Sequence, residues 1–347
     1  MKMAKTRSNY RCGLIVVFLI ISMLFSSVCV AAQDSKESTG DIIIVDGLGR
    51  EIRLHEPAQR VYISYGIAGT MVYALGAQDK LVGIDPETKK KAVYVAWPPR
   101  GRSEFNIEEV IALDADLILV PGRNRELVEN IEAHGLNVFG IVAEDLDQLK
   151  SSMTNLGKAF GKDDRAEQFV TYYDDMVGKL ESKTGKLSPE ERPGVYLVGS
   201  SLLTTCGKDM YQHYLIDLAG GRNVAVSDDK ALISGQGWFE ISPEQIVKWN
   251  PDIIVLVQYA ADTTPEQILS DKRFAGVNAV KEGQVFWFPS NLIPWDYPSP
   301  QAILGIEWMA KKLHPDLFVN LDVASEADEF FYMLYGRTYS ELGGVLD

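Results

Sequence analysis

Histidine and cysteine are scarce in this chain, at four and three of 347 residues. The histidines (His55, His134, His213, His314) are scattered, and none pairs with another at the i, i+4 spacing of a helix-borne metal site. No residues are therefore assigned as metal ligands. Three cysteines cannot build a disulfide framework, and two of them, Cys12 and Cys29, fall in the first 32 residues. Cys206, in Thr205-Cys206-Gly207-Lys208, reads as a small loop residue. Basic charge is also short: 34 Lys and Arg face 48 Asp and Glu, a net of −14. Four of those bases (Lys2, Lys5, Arg7, Arg11) lie in the first 32 residues, which hold no acid, so the remainder carries −18. Such a surface repels phosphate backbones and excludes non-specific nucleic-acid binding. Absent as well are a Gly-x-Ser-x-Gly elbow, a Walker A loop, a Gly-x-Gly-x-x-Gly helix opening and His-Glu-x-x-His. No catalytic residue is assigned and the chain is not read as an enzyme; an exported hydrolase using Ser200-Ser201 would lack a histidine placed to activate it.

What is present begins with a three-part export signal. Four positive charges precede an uncharged apolar run, Leu14 to Val30, and then Val30-Ala31-Ala32. The expectation is a signal peptide over residues 1–32 and a polar linker over 33–40. A retained membrane anchor is the competing reading of the 17-residue run, at the short edge of what spans a bilayer. Lipid attachment at Cys29 is disfavoured by the valine before it. The working part is expected outside the cytoplasm, in a periplasm or on the outer face of the membrane.

The chain then repeats itself. Asn106 to Val120 and Ser242 to Leu256 share one pattern: an N-cap residue, a glutamate at the second helical position, a short amphipathic helix, a turn, an aspartate (Asp116, Asp252) and an unbroken aliphatic strand. Aliphatic strands without alternation are buried on both faces, as in parallel sheets flanked by helices. Other pairs keep nearly the same offset. Strand Arg60 to Ser64 matches Gly194 to Val198, and Asn137 to Ile141 matches Gln284 to Phe288. A helix ending at Leu75-Gly76-Ala77 matches one ending at Ala219-Gly220-Gly221. Between the copies, apolar residues recur at helical spacing from Leu149 to Phe160 and from Ala166 to Leu180. A helix from Asp163 to Leu180 would span roughly 27 Å. The expected fold is α/β, with two similar lobes of mainly parallel sheet joined by one long spine helix and a ligand cleft between them. The expected divisions are an N-terminal lobe over 41–145, connecting helices over 146–187 and a C-terminal lobe over 188–347. The last would end in helices Pro300 to Leu313 and Ala324 to Tyr335. Ligands of open α/β sheets bind outside the carboxyl ends of the strands, so the cleft is the expected site.

Val45-Asp46-Gly47-Leu48-Gly49-Arg50-Glu51-Ile52 followed by Pro57-Ala58-Gln59-Arg60-Val61 resembles the opening of substrate-binding proteins of ABC importers for iron–siderophores, haem and cobalamin. The likeness continues through Asn106-Ile107-Glu108, Trp238 with Ile241-Ser242-Pro243-Glu244-Gln245, and Ser299-Pro300 with the helix after it. It covers nearly the whole chain from Asp41. The resemblance implies a monomer that captures a small-molecule metal complex and delivers it to a membrane permease. Glu108 and Glu244, one on each lobe, would meet the permease. The first turn of a helix also suits a glutamate with no partner at all. Trp238 corresponds to a pocket tryptophan of cobalamin-binding relatives, and Trp295 and Tyr297 fall in a loop that lines the family's pocket. Tyr65, after the first strand, is placed to face the cleft. Four arginines, Arg100, Arg102, Arg123 and Arg125, stand in loops of the first lobe, where a guanidinium fork can hold carboxylate or phosphate. The protein itself needs no cofactor; its ligand would carry a chelated metal. A siderophore or corrinoid complex is favoured because no axial haem ligand is evident, His213 being the conceivable one. A haem importer component and a ligand sensor without transport remain the alternatives.

Overall fold

The continuous aliphatic runs become central strands, buried because helices cover both faces of each sheet. The computed structural model describes residues 41–84, 105–226, 237–257, 263–289 and 291–346. The signal peptide, the linker, Arg100 and Arg102 lie outside these residues.

A hairpin of β1 (Ile42–Val45) and β2 (Glu51–Leu54) opens the described chain. Buried Asp46 organises its turn. One carboxylate oxygen accepts the Leu48 and Arg50 backbone N–H groups at 2.9 Å each, and the other accepts the Gly140 N–H at 3.0 Å and pairs with the Arg50 guanidinium. The Val-Asp-Gly-x-Gly-Arg run is thus a structural tie between hairpin and first lobe.

That lobe runs β3 (Val61–Ile63), α1 (Gly66–Ala74), β4 (Leu81–Ile84), α2 (Ile107–Ala112), β5 (Leu117–Pro121), α3 (Arg125–Ala133) and β6 (Val138–Ile141). Its strands pair in parallel in the order β4-β3-β5-β6. Helices α4 (Leu146–Phe160) and α5 (Asp163–Thr184) follow, with Gly161 between them at φ +63°, a conformation that a side chain would strain. At 22 residues α5 spans about 33 Å, one turn longer than its periodicity predicts.

The second lobe holds β7 (Gly194–Val198), β8 (Thr204–Cys206), α6 (Tyr211–Leu218), β9 (Arg222–Asn223), β10 (Trp238–Glu240), α7 (Pro243–Trp249), β11 (Ile253–Leu256), α8 (Pro265–Ser270), α9 (Asn278–Lys281) and β12 (Val285–Trp287). Its parallel sheet has the order β9-β7-β11-β12, with β8 and β10 forming a separate antiparallel ladder. The chain closes with α10 (Ala302–Leu313) and α11 (Val323–Tyr335).

The internal repeat is physical. β3, β5 and β6 stand in their sheet as β7, β11 and β12 stand in theirs. The two repeat aspartates also do the same work. Asp116 accepts the Gln59 and Arg60 N–H groups at 2.6 and 3.0 Å, while its own N–H donates to the Arg60 carbonyl. Asp252 accepts the Gly194 N–H at 2.7 Å, and its N–H donates to the Gly194 carbonyl. Each aligns the first strand of its sheet with the third.

The spine anchors both lobes. Its buried face presents Phe169, Tyr173, Met176 and Leu180. The Tyr173 hydroxyl donates to the Pro300 carbonyl and receives the Ile303 N–H at 3.3 Å, so the loop before α10 is seated on α5. Arg165, near the start of α5, donates to the Ala74 carbonyl at the end of α1 and to the Met333 and Leu334 carbonyls of α11, at 3.0 to 3.2 Å. A cation there satisfies carbonyls that helix termini leave unpaired.

Candidate functional site

A cavity of about 540 Å³ opens between the lobes, at the carboxyl ends of the sheet strands. From the first lobe it receives Tyr65 and Ile67 after β3, Arg123 after β5 and Glu144 after β6. The second lobe contributes the larger share, including Gly199 and Ser200 after β7, Tyr211 and Gln212 of α6, Trp238 of β10, and Asp296 and Tyr297.

The first-lobe wall is ionic. Arg123 Nε lies 2.8 Å from Glu144 Oε1, and its Nη1 stands 3.9 Å from Met210 Sδ across the cleft. Burial raises the Glu144 carboxyl above its usual range, against the pull of Arg123 and of the Tyr211 backbone amide. The Tyr65 phenol is pushed up to about 12, first by burial and then by the Glu144 charge, with Arg123 opposing. It stays a neutral donor and acceptor at neutral pH.

The second-lobe wall is aromatic and amide-rich. Trp238 is 39% exposed, and its ring lies on the backbone of Gly199. A Cβ at Gly199 would stand 2.6 Å from the indole, so only glycine admits the ring there. Strand β10 is held in register with β8, Trp238 facing Cys206. Asp296 is 1% exposed, and neither of its carboxylate oxygens has a hydrogen-bond partner among the described residues. Burial pushes its carboxyl up to about 7; the nearby N–H dipoles of its own backbone and of the Gln212 side chain oppose that rise without meeting hydrogen-bond geometry at the carboxylate. Gln212 donates through Nε2 to the Asp296 backbone carbonyl at 3.0 Å, which leaves its Oε1 buried without a partner.

Of the residues expected at the ligand, Tyr65, Arg123, Trp238 and Tyr297 come together around this cavity. Trp295 does not, which corrects the expectation that it lines the pocket. It is 0% exposed, with its ring centroid 5.2 Å from that of Tyr339, because burying so large an apolar surface outweighs presenting it in the cleft. Arg125 is the first residue of α3, exposed and away from the cavity. Arg100 and Arg102 lie outside the described residues. Cys206 is a buried strand residue rather than a loop residue, its thiol pushed up to about 12 by burial. His213 is half-buried on α6 and does not line the cavity.

Sequence reasoning missed Glu144, Gln212 and Asp296. Glu144 follows a parallel strand, the position that singled out Tyr65 and Arg123, and was detectable by the same rule. No comparable signal marks Gln212.

Glu108 and Glu244 lie outside the cavity. Both are exposed in the first turn of the equivalent helices α2 and α7. The Asn106 side chain caps α2, accepting the Glu108 and Glu109 N–H groups at 2.9 and 3.2 Å. Ser242 makes no such cap; its hydroxyl instead draws the Glu244 carboxyl below its usual range. Among the described residues no group of three or more His, Cys, Asp and Glu is gathered as a metal site, and no helix is long and apolar enough to cross a membrane.

The family model described as "Periplasmic binding protein" matches residues 61–292. The molybdate-binding protein MolA of Haemophilus influenzae is 26% identical, covering 90% of this chain and 95% of its own length. An ABC transporter substrate-binding lipoprotein of Bacillus subtilis, YvrC, is 24% identical over 89% and 98%. A cobalamin-binding protein of Halobacterium salinarum is 26% identical over 75% and 70%. Among solved structures, a periplasmic solute-binding protein of Veillonella parvula superposes with a TM-score of 0.74, at 23% identity, over 88% of this chain and 97% of that one. Helicobacter pylori CeuE in complex with nickel and histidine gives 0.72 at 19% identity, over 88% and 98%. Two repeated α/β lobes, a spine helix, a cleft between them and a family match over two thirds of the sequence lead to one assignment: the chain belongs to the periplasmic binding protein family, the substrate-binding components of ABC importers.

Proposed function

We propose that this substrate-binding protein captures a metal chelate, of the siderophore or corrinoid type, in the interlobe cavity and presents it to its permease through Glu108 and Glu244. The observation that carries the reading is the cavity itself. At about 540 Å³ it is far larger than a bare ion requires, and Tyr65, Trp238 and Tyr297 offer flat aromatic surface to an organic ligand. A small oxyanion such as the molybdate named for MolA is less well served. The arginine of the cavity is already paired with Glu144, and Asp296 adds a second acid. The same acids argue against a site built for haem propionates.

The docking half of the proposal rests on equivalence. Glu108 and Glu244 occupy matching positions in the two repeats and are exposed at the surface. Two exposed carboxylates at corresponding points of the two lobes suit basic side chains on a partner. Uptake of a labelled chelate by cells carrying Glu108→Ala together with Glu244→Ala should fall at least tenfold while the purified variant binds as before. Unchanged uptake would remove the docking assignment. A ligand-sensing role without transport would be recognised by wild-type binding with no permease-dependent uptake.

A further inference from the structure

Asp296 and Gln212 form an unusual pair for a protein interior. Both are at least nine-tenths buried, both line the cavity, and between them three acceptor oxygens lack a partner among the described residues: Asp296 Oδ1, Asp296 Oδ2 and Gln212 Oε1. Leaving buried polar atoms unpaired costs about 1–3 kcal/mol each, so native structures retain them where something else completes them. The single hydrogen bond joining the two residues uses the Gln212 amide N–H and the Asp296 main chain, which turns the amide oxygen away from its neighbour. The loop holding Asp296 cannot easily relax to find partners. Ser299 and Pro300 are seated on the Tyr173 hydroxyl of the spine, and Trp295 is packed beneath on Tyr339.

On the basis of the capture function proposed above, we infer that Asp296 and Gln212 are an acceptor pair on the second-lobe wall that recognises N–H or O–H donors of the ligand. The ligand end reaching this wall carries amide, amine or metal-bound water groups, and is neutral or cationic. An oxyanion or a catecholate has only acceptors to offer and would face three more. The charge around the pair agrees. Its ionisable neighbours are Cys206 of β8 and Tyr211 of α6, both held neutral by burial. Across the cleft stand Tyr65, also neutral, and the Glu144–Arg123 pair. Among the described residues no cation pairs with Asp296. Its carboxyl, pushed up to about 7 by burial, accepts donors fully only once ionised, so donor-bearing ligands should bind more tightly as pH rises from 6 to 8.

Calorimetric titration of the purified protein with cyanocobalamin, which carries primary amides, with the nickel–histidine complex, which carries amines, and with molybdate, which carries no donor, tests this directly. The expected result is that one of the first two binds at least 30-fold more tightly than molybdate. The member of that pair that binds tells the amide source from the amine source. Asp296→Asn and Gln212→Leu should each weaken that binding tenfold or more at pH 8, and Asp296→Asn should flatten its pH dependence. Circular dichroism would confirm that both variants fold. Preference for molybdate, or full affinity in both folded variants, would overturn the acceptor pair and leave the capture function standing. Binding of none of the three, nor of a ferric siderophore, would overturn the chelate reading and the acceptor pair with it.

Discussion

The two lobes share a frame and divide the chemistry. Each sheet is a four-stranded parallel array whose first and third strands are aligned by an equivalent aspartate, Asp116 or Asp252. Yet the first lobe meets the cavity with a closed ion pair, whereas the second meets it with an exposed indole and unpaired acceptors. A duplicated scaffold fixes where loops emerge, not what they carry. The second lobe departs most from the repeat where it departs chemically: the β8–β10 ladder, which holds Trp238, has no counterpart in the described part of the first lobe.

The largest effect should come from the buried acid of the second lobe. Asp296 has its carboxyl raised in the folded state, so folding favours its protonated form. The stability tied to that proton is complete below the unfolded carboxyl range near 4 and is lost as pH rises through about 7. Asp296→Asn should therefore stabilise the unliganded protein at pH 8, by at most about 4 kcal/mol, and bring no gain at pH 4. Glu307 of α10, 2% exposed and raised to about 8 by burial and by Glu326, offers a control outside the cavity. Glu307→Gln should show the same sign at pH 9 with ligand affinity unchanged. Thermal melts across this range decide it, and a flat difference for Asp296→Asn would mean that the carboxyl is not desolvated.

A somewhat smaller effect tests the shared frame. Asp116→Ala and Asp252→Ala each remove a carboxylate accepting backbone N–H groups at a strand start, at roughly 2–3 kcal/mol apiece. Asp116 accepts two such groups and should cost more than Asp252, which accepts one and the Asn278 amide at 3.2 Å. Urea midpoints that moved for one variant alone would break the equivalence of the lobes. Smaller again is Gly199→Ala, which should displace the Trp238 ring and cost about 1–2 kcal/mol as overpacking. Its signature is a shifted tryptophan emission spectrum with the fold retained.

Much of this architecture was legible because burial on both faces leaves an unmistakable pattern. Leu117–Pro121 and Ile253–Leu256 read as central strands, and the spacing from Ala166 to Leu180 reads as the spine helix. From position alone the cavity was legible where a side chain follows a strand, as Tyr65 and Arg123 do, while Trp238 and Tyr297 were legible through the family resemblance. Trp295 and Asp296 show the limit. In a proline-rich loop no period says which neighbour turns inward, and the structure packs the tryptophan on Tyr339 while Asp296 faces the cavity. Gln212 sits on a helix whose buried side continues into the cleft, so its role depends on a lobe distant in sequence.

The most direct measurement is tryptophan fluorescence during titration with a chromophoric chelate, comparing the wild-type protein with Trp238→Phe. Capture in the interlobe cavity predicts saturable quenching in the wild type that is measurably smaller in Trp238→Phe, since among the described tryptophans Trp238 alone lines the cavity and stands nearest the ligand. Equal quenching in both proteins would place the ligand elsewhere and contradict the assignment of this cavity.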